Sequence, residues 1–267
     1  MLVTDPAPVI ELEGTAFGYE DRTIVRDLDL TVQRGEVVAV LGPNGSGKST
    51  LVKGLLGLSE LHAGRARVLG HDVATPGARA GIGYVPQRHT LASAVRATAA
   101  EIVTMGRTVR TPWWAPWRIR DAAGRDLVHQ SLSVVGLADL ATHDVATLSG
   151  GQQRRVLIAR ALASRADVFL MDEPTAGVDR GHQAVLVAVM RRLVERGATL
   201  VIVTHELDAL AEIVTRTVVV RGGGIQQDCV PAQLAAGEQA HTHHSDEGAA
   251  PPSTVPTTII RTKGGPR

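Results

Sequence analysis

A glycine-rich run at residues 42–50, GPNGSGKST, constrains the fold of this chain more than any other feature of its sequence. The run matches GxxxxGK[ST], a phosphate-binding loop that joins a β-strand to an α-helix. A valine-rich run at 36–41 precedes it, and helical periodicity follows over 48–56. The sequence therefore predicts a strand, a loop and a helix in that order, which is a building unit of α/β domains.

The predicted loop holds phosphate groups mainly through its backbone. Gly42, Gly45 and Gly47 allow backbone N–H groups to turn inward, and the helix that follows presents the positive end of its dipole. Lys48 is expected to bridge the β- and γ-phosphates, and the Ser49 hydroxyl to bind Mg²⁺. A strand–helix turn with no ligand is disfavoured, because the whole motif is present in context. The predicted phosphate-binding residues are Gly42, Pro43, Asn44, Gly45, Ser46, Gly47, Lys48, Ser49 and Thr50.

A second apolar run, residues 168–171, ends in the carboxylates Asp172 and Glu173. Side chains that follow a parallel strand emerge at the carboxyl edge of the sheet, where the phosphate-binding loop also lies. An Asp-Glu pair by itself is equally consistent with a solvated turn. The apolar run before the pair and the sequence PTAGVD after it, at 174–179, favour a site.

Between these two motifs stands LSGGQ, at residues 148–152. A phosphate-binding loop, then LSGGQ, then an apolar run ending in Asp-Glu, resembles the ATP-binding subunit of ABC (ATP-binding cassette) transporters over about residues 9–225. The resemblance implies that the chain binds ATP and Mg²⁺ and hydrolyses ATP. It assigns Asp172 to Mg²⁺ through water, and Glu173 to the general base or to positioning the attacking water.

The resemblance also assigns roles to side chains that are weak signals in isolation. Gln87 would link Mg²⁺ and the attacking water to the helical insert, and His205 would contact the γ-phosphate. Tyr19 would stack on adenine, for which an aromatic face contributes on the order of 1–3 kcal/mol. A core role is the competing reading of Tyr19, because the chain has only two Tyr and two Phe. The predicted catalytic residues are Glu173, His205 and Gln87, and the predicted Mg²⁺ residues are Ser49, Gln87 and Asp172.

The LSGGQ segment is expected to begin a helix over 151–164. Ser149 and the backbone N–H groups of Gly150 and Gly151, followed by Gln152, then form a second anion site at a helix N-terminus. In the architecture of the family, this site does not reach the nucleotide of its own chain. The resemblance therefore implies a dimer with a second copy of the chain that holds two ATP molecules at its interface, which Asp179 crosses.

Short β-branched runs alternate with helical patterns, which predicts an α/β fold. We expect a P-loop NTPase core with a mostly parallel sheet, an N-terminal antiparallel β part and an inserted helical subdomain at about 88–153. The ATP-binding domain would span 1–237, and the His/Pro/Thr-rich tail at 238–267 would be disordered. Strands are expected at 9–13, 36–41, 168–171, 199–204 and 217–221, and helices at 48–56, 90–105, 120–135, 151–164, 182–196 and 207–214.

Composition excludes several classes of function. The 28 basic and 27 acidic residues leave a net charge of +1, so no nucleic-acid footprint is expected. The single cysteine, Cys229, rules out a disulfide within the chain. No apolar stretch reaches the roughly 20 residues of a membrane helix, and no secretory signal is visible at the N-terminus. We therefore expect the chain to reach the membrane only through a partner.

Within the family, three segments resemble the cassettes of zinc and manganese importers: IGYVPQR at 82–88, EIVTMGR at 101–107 and DEPTAGVD at 172–179. Such systems combine a cassette dimer with an integral membrane permease and an extracytoplasmic metal-binding protein. The resemblance implies a peripheral position at the cytoplasmic face of the plasma membrane. Residues 88–117 would form the surface that docks on the permease, although the three tryptophans in this stretch are equally consistent with a subdomain core.

Other functions remain open at this point. The cassette of a siderophore or haem importer, or of a drug or peptide exporter, is the main alternative. A soluble cassette protein of translation or DNA maintenance typically has two cassettes or a long coiled-coil insertion, and neither is present. A pure binding module is disfavoured because Lys48, Glu173 and His205 are all present.

The tail adds a cluster of histidines, HTHHSDE at 241–247. Imidazole and carboxylate groups are competent zinc ligands, so we hypothesise that His241, His243 and His244 bind Zn²⁺ weakly. The alternative is a polar low-complexity tail with incidental histidines. Zinc titration of the full chain is expected to show uptake that is lost after truncation at residue 238, and equal uptake by both forms would contradict the hypothesis.

Overall fold

The computed structural model describes residues 7–87, 96–111, 114–119, 121–176, 178, 180–205 and 207–232. The strands are β1 Ile10–Tyr19, β2 Arg22–Val32, β3 Val37–Leu41, β4 Glu60–Val68, β5 His71–Asp72, β6 Ile82–Val85, β7 Val168–Asp172, β8 Thr199–Val203, β9 Arg216–Arg221 and β10 Gly224–Cys229. The α-helices are α1 Lys48–Leu55, α2 Pro76–Ala80, α3 Ala99–Met105, α4 Ala122–Val134, α5 Gly150–Ala163 and α6 Arg180–Glu195.

The larger sheet has the strand order β10-β9-β3-β8-β7-β6, and it is parallel except for the β9–β10 pair. Strands β7 and β8 are buried along their whole length, which explains their uninterrupted apolar sequences. Since β3, β6, β7 and β8 run in one direction, the segments that follow them meet at one edge of the sheet. The mostly parallel sheet predicted from the sequence is confirmed.

The smaller sheet is antiparallel, with the order β2-β1-β4-β5. It confirms the predicted antiparallel part, but the sequence identified only the first residues of β1 as a strand. Strand β2 alternates buried and exposed positions, and β4 is exposed over its first six residues. These strands carry many charged residues because one face meets solvent, so they lack the apolar signal of the central strands.

Alternate residues of the central strands contribute to two hydrophobic cores. Val38 and Val40 face a core shared with α1 and the antiparallel sheet, while Val37 and Ala39 face a core shared with α5 and α6. Successive side chains of a strand point to opposite faces, so one valine-rich strand supports both layers. The phosphate-binding loop therefore extends from a strand held on both sides.

Helices α3, α4 and α5 pack against one another and form the helical segment expected near 88–153. Capping boxes begin two of them, Thr98 with Glu101 at α3 and Ser149 with Gln152 at α5. The expected helix at 90–105 begins only at residue 99, and positions 90–95 lie outside the described residues. None of the helices in the described ranges is long and apolar enough to cross a membrane.

The helix predicted at 207–214 is wrong. The structure has a short 3₁₀ helix, Asp208–Leu210, followed by turns. Backbone N–H groups here bond mainly three residues back, as from Leu210 to Leu207 at 2.8 Å and from Ile213 to Leu210 at 2.9 Å. The apolar spacing is satisfied by these tighter turns as well as by an α-helix, so periodicity alone did not separate the two.

Candidate functional site

The phosphate-binding loop lies between β3 and α1, as its motif predicts. Gly42 and Gly47 have φ angles of 145° and 107°, in the region that favours glycine. A Cβ atom at Gly42 would lie 2.1 Å from the Val220 carbonyl oxygen, and one at Gly47 would lie 2.3 Å from the Val25 side chain. Neither position accepts a side chain without movement, so the loop depends on these glycines for its shape.

Lys48 extends back over this loop. Its Nζ donates to the carbonyl oxygens of Gly42 at 2.6 Å and Pro43 at 2.9 Å. Burial lowers the pKa of this lysine, while the negative charges of Glu173 and Asp172 raise it. The ammonium group is therefore a cation held inside the loop and facing two carboxylates.

A cavity of about 180 Å³ lies beside Lys48, and its lining includes Ser49, Gln87 and Glu173. A second, more open cavity of about 700 Å³ is lined by Arg22, Arg26 and neighbouring residues, and the two share Ile24 and Gly45. Together they provide a small polar space at the loop and a larger one beside it. This is the arrangement that a phosphate chain and an attached nucleoside require.

Three of the predicted catalytic side chains converge on one point. Glu173 accepts a hydrogen bond from Gln87 Nε2 at 2.7 Å, and its other oxygen lies 3.3 Å from His205 Nδ1. Glu173 has a φ angle of 47°, and its backbone N–H donates to the Val203 carbonyl at 2.8 Å. A non-glycine residue in this left-handed region costs roughly 1–3 kcal/mol and is typical of functional sites.

Asp172 is the last residue of β7 and is buried. Burial raises the pKa of its carboxyl, as does the negative charge of Glu173, while Lys48 and Arg154 act in the opposite direction. Two adjacent carboxylates with this repulsion are stabilised by a nearby cation. The oxygens of Ser49, Gln87 and these carboxylates are the ligand types that Mg²⁺ prefers.

The described residues contain no cluster of three or more His, Cys, Asp and Glu side chains able to hold a metal ion on their own. Mg²⁺ usually keeps several waters and takes its remaining ligands from one or two carboxylates and from substrate phosphates. The residues predicted for Mg²⁺ therefore fit an ion that arrives with a nucleotide.

Tyr19 ends β1, and its side chain is 38% exposed, which excludes the core role considered as its alternative. The ammonium of Lys53 lies 5.7 Å from the centre of the Tyr19 ring. Two of the three tryptophans, Trp114 and Trp117, are 60% and 68% exposed, so they do not form a subdomain core.

Ser149 caps the N-terminus of α5. Its Oγ accepts from the Gln152 N–H at 3.3 Å, and the Gln152 side chain accepts from the Ser149 N–H at 2.9 Å. A Cβ atom at Gly150 or Gly151 would meet nothing within 4 Å, so the backbone here is open to a ligand. Within the described part of the chain, the lining of the cavity beside Lys48 does not include this segment.

Some predicted site residues lie outside the described residues. They are Asp179 and the tail histidines His241, His243 and His244. Their proposed roles stay predictions.

Sequence reasoning missed Arg154, a buried arginine of α5 whose guanidinium donates to backbone carbonyls beside Gln87 and Glu173. The helix itself was predicted, but arginines next to an apolar run usually mark its solvated face. No local signal distinguished Arg154 from an exposed arginine.

A glycine-rich loop after a central parallel strand, with two carboxylates ending a neighbouring strand, defines a nucleotide-hydrolysing protein of the P-loop class. The sequence profile of the family described as ABC transporter matches residues 25–176. The chain belongs to this family and is an ATP-binding subunit with ATPase activity.

Curated relatives agree with this assignment. The manganese transport system ATP-binding protein MntB of Halalkalibacterium halodurans is 36% identical over 75% of this chain and 78% of its own length. The zinc transport system ATP-binding protein TroB of Treponema pallidum is 34% identical over 80% of this chain and 79% of its own length. The structure of cbiO1 from Clostridium perfringens, part of the ABC transporter complex cbiONQ, is 25% identical with a TM-score of 0.73, covering 88% of this chain and 94% of that one.

Proposed function

We propose that this chain drives the import of a metal ion, zinc or manganese, through a separate membrane permease. The observation that carries the proposal is its similarity to cassettes named for manganese and zinc transport. The chain would act at the cytoplasmic face of the membrane, and an extracytoplasmic metal-binding protein would deliver the ion to the permease.

Hydrolysis follows from the groups around the cavity. The loop N–H groups and Lys48 bind the phosphates of ATP, and Glu173 accepts a proton from the attacking water. Gln87 and His205 hold the Glu173 carboxylate and contact the water and the γ-phosphate. Bound Mg²⁺ would be held by Ser49, Gln87 and Asp172 and would neutralise charge on the phosphates. Most of the rate enhancement would come from positioning and electrostatic stabilisation.

The active form is a dimer of this chain. Ser149, Gly150 and Gly151 present a helix N-terminus suited to a phosphate group, yet they do not line the cavity beside Lys48 in the same chain. These residues would therefore act on ATP held by the second copy. Each chain contributes two half-sites, and two ATP molecules complete them.

The exposed side chains of Met105, Val109, Trp114 and Trp117 support a docking surface for the permease within 88–117. Exposed apolar groups of this size commonly mark an interaction site. Their position in the helical segment separates them from the catalytic edge of the sheet, so docking leaves the ATP site accessible.

A double substitution, Trp114→Ser with Trp117→Ser, is expected to abolish co-purification with the permease, because it removes the two largest exposed apolar side chains of this surface. Thermal stability should stay close to that of the unchanged chain, since neither side chain is buried. Leu58→Ser is the matched control, because Leu58 is 60% exposed outside this segment. Equal loss of permease binding in the control would contradict the docking assignment.

The cargo is tested by measuring ATPase activity of the reconstituted complex with its capture protein and a panel of solutes. Zinc or manganese is expected to stimulate hydrolysis. Stimulation only by haem, a siderophore, or a drug or peptide would replace the metal assignment with the corresponding alternative.

A further inference from the structure

Arg154 connects the signature helix to the catalytic loop. It lies in α5 with its side chain only 2% exposed. Its Nη1 donates to the Gln87 carbonyl at 3.3 Å, and its Nη2 donates to the carbonyl of Asp172 at 3.2 Å and to that of Glu173. One guanidinium group thus binds the backbone of both segments that carry the catalytic side chains.

The energetics of this arrangement require a fixed geometry. A buried cation is tolerated only when its donors are well paired, and the planar guanidinium directs those donors rigidly. Burial lowers the pKa of Arg154, while the charges of Glu173 and Asp172 favour its ionised form. A shift of Arg154 would therefore move the carbonyls with it or leave a buried charge unpaired.

The position of Arg154 along α5 gives this contact a second role. Arg154 lies four residues after Gly150, which is about 6 Å along a helix that rises 1.5 Å per residue. Since a helix moves as a rigid element, displacement of its N-terminus reaches the guanidinium undiminished. That N-terminus is the segment proposed to bind the nucleotide of the second copy.

We infer that Arg154 is a positioning residue that transmits engagement of the signature segment to the Glu173 carboxylate of the same chain. ATP bound in one half of the dimer thereby aligns the catalytic carboxylate in the other half. The inference rests on the proposed function, because it requires the dimer in which each signature segment contacts the partner's ATP.

Arg154→Met tests the positioning role in the full-length chain assembled with its permease. We expect kcat to fall about 100-fold, the cost of a misplaced catalytic group, while ATP affinity stays near that of the unchanged complex. Arg155→Met is the matched control, because Arg155 is the next residue, is also buried, and donates to the Val135 carbonyl at 3.1 Å. A similar loss of kcat in both variants, or no loss in Arg154→Met, would overturn the inference.

Arg154→Lys covers the case in which the methionine variant does not fold. Lysine keeps the charge but cannot span all of the carbonyls, so we expect an unchanged melting temperature with a partial loss of kcat. The rate should rise sigmoidally with ATP in the unchanged complex and hyperbolically in this variant. A hyperbolic dependence in the unchanged complex would refute the coupling.

Mixed dimers test which carboxylate Arg154 controls, using two co-expressed full-length chains with different affinity tags. In the first dimer, one chain carries Arg154→Met and the other Glu173→Gln, so the intact carboxylate lies beside the missing arginine. In the second, one chain carries both substitutions and the other is unchanged. We expect the first dimer to hydrolyse ATP about 100-fold more slowly than the second.

Equal rates in the two mixed dimers, or the reverse order, would show that Arg154 does not act on the carboxylate of its own chain. Failure of the proposed function gives a different result. A dimer with Glu173→Gln in both chains would then still hydrolyse ATP, whatever residue stands at position 154.

Discussion

Glu173→Gln is expected to stop ATP turnover while leaving ATP binding intact, and thereby to trap an ATP-bound dimer. The carboxylate lines the cavity beside Lys48 and receives a hydrogen bond from Gln87 at 2.7 Å. The amide has the same shape but cannot take a proton from water, and loss of a general base costs about 100- to 10,000-fold in rate. Phosphate release would measure turnover, and size-exclusion chromatography with ATP would detect the trapped dimer.

Glu212→Gln provides the control for this experiment. Glu212 makes an ion pair with Arg191, and its side chain is 77% exposed. The same chemical change there is expected to leave turnover unaffected. Normal hydrolysis by the Glu173→Gln variant would overturn the assignment of the base.

Lys48→Ala is expected to abolish nucleotide-dependent dimerisation. Its ammonium is the cation held within the phosphate-binding loop, 2.6 Å from the Gly42 carbonyl and facing the charges of Asp172 and Glu173. Without it, the phosphates of ATP would meet two carboxylates with no neutralising side chain from the loop. Light scattering with and without ATP would measure the dimer directly.

Lys53→Ala is the matched control, because it removes the same charge from the same helix, at the Tyr19 ring rather than at the loop. A cation–π contact at an exposed site contributes about 0.5–1 kcal/mol, so ATP affinity should fall only several-fold. If both alanine variants lose dimerisation equally, helix charge rather than the position of Lys48 is responsible, and the assignment of Lys48 fails.

Much of the fold was predictable because the buried strands carry strong local patterns. Strand β8, Thr199–Val203, is apolar throughout and was predicted almost to its ends. Strand β4, Glu60–Val68, was missed because its exposed face is rich in polar and charged residues. The turns after Leu207 were misassigned, since α-helical and 3₁₀ segments can bury the same apolar residues.

The sequence by itself determined the chemistry of the site, because each motif is local. A glycine-rich turn, a strand that ends in carboxylates and a capped helix are specified by neighbouring residues, so they are recognisable without coordinates.

Only the tertiary structure decided which of these groups meet. Gln87 and Glu173 are 86 residues apart in sequence, and His205 lies 32 residues beyond Glu173, yet all three join at one sheet edge. Arg154 is the clearest case, because an arginine on a helix has no local mark of burial. Its role arises only when packing brings α5 against the carbonyls that surround Glu173.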